Sequence, residues 1–276
     1  MAPHLPPLLL VGCGQMGGAL FSAWEQNGLA PSVVIDRHRE AVPGAHSLVR
    51  SIDDIPKRFS PDAVILAVKP QNAAATITEL ATKRPDLLAN GPVIISVMAG
   101  CTTRSLAGAF ADTPAGSSPA IVRAMPNTPS AVGRGMTGLF AGTNVSAEQK
   151  ALCDTLLGAV GATVWMDEED QINILTAISG SGPAYVFLLA ELLEQAAVGQ
   201  GLSRDVARLL ARKTVTGAGE LLDRMPEDAA QLRRNVTSPG GTTAEAISIL
   251  NAPDNWPASV PEAVAAAIRR ARELAA

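Results

Sequence analysis

Leu8-Leu9-Leu10-Val11-Gly12-Cys13-Gly14-Gln15-Met16-Gly17 is the stretch that decides the fold. Four aliphatic residues in a row read as a short strand buried on both faces. The glycines follow it at once, and a helical pattern follows them. In that setting each glycine has a physical job. Gly12 permits a tight turn, Gly14 lets the backbone approach a pyrophosphate, and Gly17 lets helix pack on strand. Gln15 and Met16 fall inside the turn, so the whole 12–17 set is a candidate dinucleotide contact. The helix start would offer free N–H groups and a partial positive charge to phosphates. A lone GxGxxG is also found as a plain glycine-rich turn. Position after a first strand, with an acid closing the second, makes the nucleotide reading the stronger one.

That acid is Asp36, after the apolar run Val33–Ile35. A carboxylate there can accept from a ribose 2′-hydroxyl, which favours NADH and repels a 2′-phosphate. Arg37, His38 and Arg39 follow immediately and could pair with that phosphate instead. The two signals conflict, and the balance leans to NADH with NADPH left open.

Outward from this point, 63–68, 93–97, 121–124 and 162–165 read as further strands, separated by segments of helix-plus-turn length. Ser146 and Gln149 have capping-box spacing, which predicts a helix from there to about Gly158. Residues 111–119, rich in Gly, Ser and Pro, predict a loop. After the acidic run Asp167-Glu168-Glu169-Asp170 the texture becomes helical with no convincing strand. Tyr185, Leu188, Leu189, Leu192 and Leu193 recur at helical spacing behind Pro183, and helices are expected over 204–223, 243–250 and 261–274. The chain therefore divides near residue 166: an α/β Rossmann-type domain over 1–166, then an all-helical one over 167–276.

The bulk composition excludes several classes. Among 276 residues, 22 are basic and 26 acidic, with no dense Lys/Arg block, which argues against a nucleic-acid footprint. Aromatics are 3% of the chain, so alanine and small aliphatics must do the packing. Cys13, Cys101 and Cys153 are scattered and never in CxxC spacing, which suggests a reducing compartment with no disulfide frame and no metal site. The first residues lack a basic start, and charges or Gly/Pro interrupt every apolar run before membrane-spanning length. These observations predict a soluble cytoplasmic protein.

A second informative stretch is Val236-Thr237-Ser238-Pro239-Gly240-Gly241-Thr242-Thr243-Ala244-Glu245. Pro-Gly-Gly frees the backbone to turn several N–H groups inward, and Thr242 with Glu245 has capping-box spacing. The stretch reads equally as a receptor for a small carboxylate and as a simple helix-initiating turn. Ser179-Gly180-Ser181-Gly182-Pro183 is a second such junction, better explained by close helix packing. Histidine occurs only at His4, His38 and His46, so the helical half offers no histidine base. A reaction that needs no strong side-chain base fits, and hydride addition to a protonated imine is one.

With these residues assembled, the chain resembles pyrroline-5-carboxylate reductases along nearly its whole length. The likeness rests on Gly12 to Gly17, Ala67-Val68-Lys69-Pro70-Gln71, Met98-Ala99-Gly100, Arg123-Ala124-Met125-Pro126-Asn127-Thr128-Pro129, Ile178-Ser179-Gly180-Ser181-Gly182-Pro183-Ala184-Tyr185 and the 236–243 loop. The resemblance implies a Rossmann domain and a helical domain that interlocks with a second subunit, the dimers often forming a decamer. It implies NADPH or NADH as cofactor and reduction of 1-pyrroline-5-carboxylate to L-proline, the last step of proline biosynthesis. It implies that Val68, Lys69, Pro70, Ala99 and Gly100 line the dinucleotide and that Asn235 lies near the nicotinamide. Ser238, Gly240, Gly241, Thr242 and Thr243 would hold the substrate, with Thr243 as catalytic residue beside the ring nitrogen and Glu169 at the pocket edge. Two positions depart from the family pattern: Asp36 replaces a small polar residue, and Asn173 stands where Asp is commoner.

Two other readings compete. A β-hydroxyacid dehydrogenase has a similar domain pair but places a Lys followed by Asn on the helix after its Gly-rich segment. Here that helix begins Pro183-Ala184-Tyr185-Val186-Phe187-Leu188-Leu189 and carries neither. A nucleotide-sensing subunit without turnover would not need an intact Pro-Gly-Gly-Thr-Thr loop.

Overall fold

The computed structural model describes residues 5–111 and 119–275; the loop expected over 111–119 lies almost wholly outside the described residues. By its contacts the chain forms two compact units. One holds everything up to Gly180 together with Ile268 onward, and the other holds Ser181–Ala267. The helical texture does begin at Gln171, close to the expected 166, but the first helix after that point belongs to the sheet unit.

In the sheet unit the order of elements is β1 (Leu8–Val11), α1 (Gln15–Gln26), β2 (Val33–Ile35), β3 (Ser47–Val49), β4 (Ala63–Leu66), α2 (Ala73–Lys83), β5 (Val93–Ser96), α3 (Thr103–Ala111), β6 (Ile121–Met125), β7 (Gly135–Ala141), α4 (Ala147–Gly158), β8 (Gly161–Trp165) and α5 (Gln171–Leu175). The eight strands run in the order β3-β2-β1-β4-β5-β6-β7-β8. All neighbours are parallel except β6 and β7. The order reverses between β1 and β4, and a doubly wound sheet binds ligands at the carboxyl ends of the strands there.

Side chains alternate across the sheet, so β1 feeds two cores. Leu8 and Leu10 join Leu20, Phe21 and Trp24 of α1 and Leu156 and Leu157 of α4. Leu9 and Val11 join Ile77 and Leu80 of α2 and Leu106 and Phe110 of α3. That is why β1 is aliphatic without a polar interruption. Each such side chain contributes roughly 1.5–3 kcal/mol on full burial. The buried Trp24 Nε1–H donates to the Leu156 carbonyl at 2.7 Å, joining α1 to α4. The Ser146–Gln149 capping box forms in both directions and starts α4 as its spacing predicts.

β3 and β7 were not recognisable as strands. β3 is a three-residue edge strand with an exposed Ser47. β7 contains Gly135 and Gly138 where strand propensity favours branched residues, and Gly138 has a packing reason: a Cβ there would run into the side chain of Leu175 on α5.

The second unit comprises α6 (Gly182–Gly199), α7 (Arg204–Arg224), α8 (Ala229–Asn235), α9 (Thr242–Leu250) and most of α10 (Trp256–Ala275). The last helix starts five residues before the expected position and carries Pro261 inside it. Gly241 is the N-cap of α9 with no side-chain bond, so the capping box expected of Thr242 and Glu245 does not form. A π turn over Thr176–Gly180 keeps the backbone helical between α5 and α6. The helical stretch Gln171–Gly199 is therefore 29 residues long, with mean hydropathy 1.4, long and apolar enough to cross a membrane by length and composition. The sequence reading treated Ser-Gly-Ser-Gly-Pro as an interruption, and the backbone does not break there.

This unit has almost no interior. Within α6 to α9, Ala207 and Ala211 are the buried residues among those described. Phe187, Leu188, Leu192, Leu209, Leu210, Leu221, Leu222 and Ile249 are all exposed. An apolar surface of that extent marks an interface. The chain is expected to sediment as a dimer or larger species at assay concentration. A stable, monodisperse 28.4 kDa particle would contradict that.

Candidate functional site

The glycine turn sits at the sheet's switch point and has the shape its sequence predicts. Gly12 has φ +93°, and a Cβ there would meet the Ala67 carbonyl oxygen at 2.7 Å. A side chain at Gly17 would strike the Gly12 carbonyl oxygen and the Ala67 methyl, so α1 lies directly on the turn. Gly14 differs. A Cβ there meets nothing within 4 Å, and its φ of −72° suits any residue. The space beside Gly14 belongs to a groove of about 610 Å³ that also takes in Gly12, Asp36, Arg37, Val68 and Lys69. A dinucleotide fits a groove of that size and position.

Asp36 closes this end of the sheet. Its Oδ2 accepts from the Cys13 N–H at 2.8 Å, and Oδ1 accepts from the His38 and Arg39 N–H groups at 2.8 and 2.9 Å. Partial burial pushes its pKa up, but these three N–H bonds and the nearby His38 outweigh it and hold the carboxyl below its usual range. The carboxylate therefore ties the glycine turn to the end of β2, a task the sequence reading did not give it.

The basic residues divide differently from the expectation. Arg39 folds back, its Nε donating to the Ala41 carbonyl at 3.0 Å and Nη1 lying 3.2 Å from Cys13 Sγ. It does not line the groove. Arg50 does, although no motif pointed to it. Its Nη1 donates to the Asp36 and Arg39 carbonyls at 2.8 and 2.6 Å, which holds the guanidinium at the rim beside Arg37 and Ser51. Arg50 follows β3, and only recognition of that strand could have placed it at the carboxyl end of the sheet.

Other expected residues fall elsewhere. Gln15 and Met16 form the first turn of α1 rather than the groove wall. Pro70 and Gly100 line an adjoining depression of about 380 Å³ with Cys101 and Leu274. Glu169 lines two shallow depressions, one with Arg123 and Asp170 and one with Thr103 and Phe140, and it also braces the backbone. Its two oxygens accept from the Thr103 N–H at 2.7 Å and the Thr103 hydroxyl at 2.9 Å, and Oε1 lies 3.4 Å from the buried Arg123 guanidinium. With both oxygens engaged, it fixes the start of α3.

Asn235 and 238–243 belong to the helical unit. Asn235 ends α8, and its Oδ1 accepts from Gln231 Nε2 at 2.6 Å. Gly240 has φ +69° and turns the chain into α9. Within the described residues, the N–H groups of Gly240, Thr242 and Thr243 and the Thr243 hydroxyl carry no hydrogen bond. Such a set can receive an anionic group. No group of three or more His, Cys, Asp or Glu is placed to hold a metal among the described residues. The three cysteines are buried and unpaired, and burial raises each thiol's pKa, that of Cys153 to about 12.

The family model for pyrroline-5-carboxylate reductase dimerisation matches residues 169–274, and the model described as NADP oxidoreductase, coenzyme F420-dependent, matches 8–100. The chain is 36% identical to the pyrroline-5-carboxylate reductase of Pseudomonas aeruginosa, over 98% of this chain and 97% of that one. Its structure resembles the Coxiella burnetii pyrroline-5-carboxylate reductase at 35% identity and a TM-score of 0.88, over 99% of this chain and all of that one. It resembles the Plasmodium falciparum enzyme, solved with NADP bound, at 28% identity and a TM-score of 0.82, with the same coverage.

Removing the Asp36 brace should weaken the turn whatever the cofactor. Asp36→Ala strands the Cys13 N–H, and the expected loss of stability is about 1–3 kcal/mol. Because the folded pKa is depressed, the carboxylate's share is complete above its unfolded value near pH 4 and fades as pH falls through the folded value. Thermal unfolding of both proteins at pH 7 and pH 3 checks this; a gap that does not narrow in acid would contradict it.

Proposed function

The chain belongs to the pyrroline-5-carboxylate reductase family, and from that premise we propose that it reduces 1-pyrroline-5-carboxylate to L-proline, the closing step of proline biosynthesis. The observation that carries this reading is the full-length likeness to relatives of that activity. Residues 169–274 match the family's dimerisation domain and take in the whole helical unit, so the chain is a homodimer; assembly of dimers into a decamer and a cytoplasmic location belong to the proposal. The β-hydroxyacid dehydrogenase alternative has no support, because α6 lacks the Lys-Asn pair and the relatives named above are pyrroline-5-carboxylate reductases.

NAD(P)H, when bound, supplies the hydride that adds to the C=N carbon while the ring nitrogen takes a proton. The chain's own part is to position and to exclude water. Gly14 and Gly17, with Gln15 and Met16 at the start of α1, give the pyrophosphate a bed of backbone N–H groups, while Gly12, whose N–H is donated to the Ile35 carbonyl, makes the tight turn beneath it. Val68, Lys69, Pro70, Ala99 and Gly100 flank the dinucleotide, and Asn235 orients the nicotinamide. The free N–H groups of Gly240, Thr242 and Thr243 hold the substrate carboxylate, Ser238 and Gly241 shape the loop through the Gly241 N–H donated to the Ser238 carbonyl, and the Thr243 hydroxyl hydrogen-bonds the ring nitrogen. Alignment of this kind can lower a barrier by about 7–11 kcal/mol, which removes the need for a histidine base.

NADPH is the cofactor this reading favours. A relative was solved with NADP bound, and the Asp36 carboxylate that suggested NADH is already taken by three N–H groups. Arg37 and Arg50 at the rim suit a 2′-phosphate. Arg50→Ala should lower kcat/KM for NADPH relative to NADH by about tenfold to a hundredfold, the worth of one charged hydrogen bond. An unchanged ratio would remove Arg50 from cofactor choice.

Thr243→Val tests the chemistry, since it keeps the shape and removes one hydrogen bond. If that bond strengthens as the nitrogen changes character, kcat falls about tenfold to a few hundredfold, more than KM rises. Wild-type kinetics in that variant would place the proton donor elsewhere, and a wild-type protein that leaves pyrroline-5-carboxylate unreduced would end the proposal.

A further inference from the structure

The last turn of α10 belongs to the sheet unit, and it is held there at two points. Arg272 forms a two-pronged ion pair with Asp170, Nε to Oδ1 at 2.9 Å and Nη2 to Oδ2 at 2.5 Å. Beyond it, the Leu274 carbonyl lies so close to Gly100 that a Cβ there would collide with it. Gly100 has φ +77°, so glycine is demanded by backbone conformation and by space alike.

From the ion pair a line of polar contacts runs into the interior. Asp170 Oδ1 accepts from Asn173 Nδ2 at 3.0 Å, and Asn173 Oδ1 accepts from Arg123 Nη2 at 3.2 Å. Arg123, 3% exposed, meets Glu169, which grips the first residue of α3. The short segment Gly100-Cys101-Thr102-Thr103 is thus pinned at both ends: by Leu274 at Gly100 and by Glu169 at Thr103. None of this belongs to the glycine turn.

We propose that Arg272 is a positioning residue for the dinucleotide. Through Asp170 it seats the last turn of α10 on Gly100, and so fixes the Ala99–Gly100 backbone against which the cofactor lies. The inference rests on the reading that Ala99 and Gly100 flank the dinucleotide. Arg272 and Asp170 are about half exposed, at 52% and 49%, so salt screens the pair and its influence is bounded. A ligand shifts such an element only by its differential affinity for the seated and unseated forms.

The test is a fluorescence titration of NADPH onto the dimeric protein, with steady-state kinetics beside it. Arg272→Glu, which faces Asp170 with a like charge, should weaken NADPH binding about three- to tenfold. The KM for the imino acid should stay within twofold. Asp170→Asn should give a smaller loss in the same direction, and Arg272→Lys should recover most of the affinity. Exchanging the pair, Asp170→Arg with Arg272→Asp, should bring affinity back toward wild type, which a role in stability alone would not require. Wild-type NADPH affinity in both Arg272→Glu and Asp170→Asn overturns the inference alone. Absence of NADPH binding to the wild-type protein overturns the dinucleotide reading and the inference with it.

Discussion

The contact on which the cofactor groove depends is between the Asp36 carboxylate and the backbone N–H of Cys13. β1 and β2 end side by side next to the switch point between β1 and β4, and the chain must leave β1 through a turn too tight for any side chain at Gly12. One carboxylate, accepting from Cys13, His38 and Arg39 together, holds the turn leaving β1 and the turn leaving β2 in one arrangement. The α1 N-terminus, the open space at Gly14 and the rim formed by Arg37 and Arg50 all follow from it. An acid at this position is commonly read as a ribose acceptor. Here its first work is to shape the bed on which a nucleotide would lie.

The remaining structure divides between order and incompleteness. The sheet unit has a developed interior: two aliphatic cores on its faces, and a polar line from Arg272 to Thr103. The helical unit has the opposite character. Its helices present leucine and phenylalanine to solvent within one chain, and the loop before α9 carries N–H groups that are unpartnered among the described residues. Both features are those of a dimerisation domain that is finished only when a second copy covers it.

Much of this was legible in the sequence because the governing constraints are local. Leu8 to Gly17 announces strand, turn and helix in one stretch, and Ser146 with Gln149 announces the start of α4. What escaped notice depends on distant partners. β7 is held as a strand by pairing with β6 and β8 and carries Gly138 because Leu175 fills the space above it, and nothing near Gly138 in the chain says so. Arg50 reaches the groove because β3 pairs with β2. The family pattern put Glu169 at a pocket edge, but its bracing of Thr103 and its contact with Arg123, both far away in sequence, could not be read from its neighbours. The continuous helix from Gln171 to Gly199 was hidden because glycine and proline usually stop a helix, and here a π turn carries the backbone through.

Gly14 gives the most direct test of the account. Its backbone suits any residue and the space beside it is empty, so Gly14→Val should fold with the wild-type melting temperature and oligomeric state. The added methyl groups would stand where the pyrophosphate must approach. Titration with NADPH should therefore show binding weakened by at least about a hundredfold, the worth of about 2.7 kcal/mol, in an otherwise intact protein. Wild-type affinity in a well-folded Gly14→Val protein would contradict the claim that this turn is the cofactor's bed.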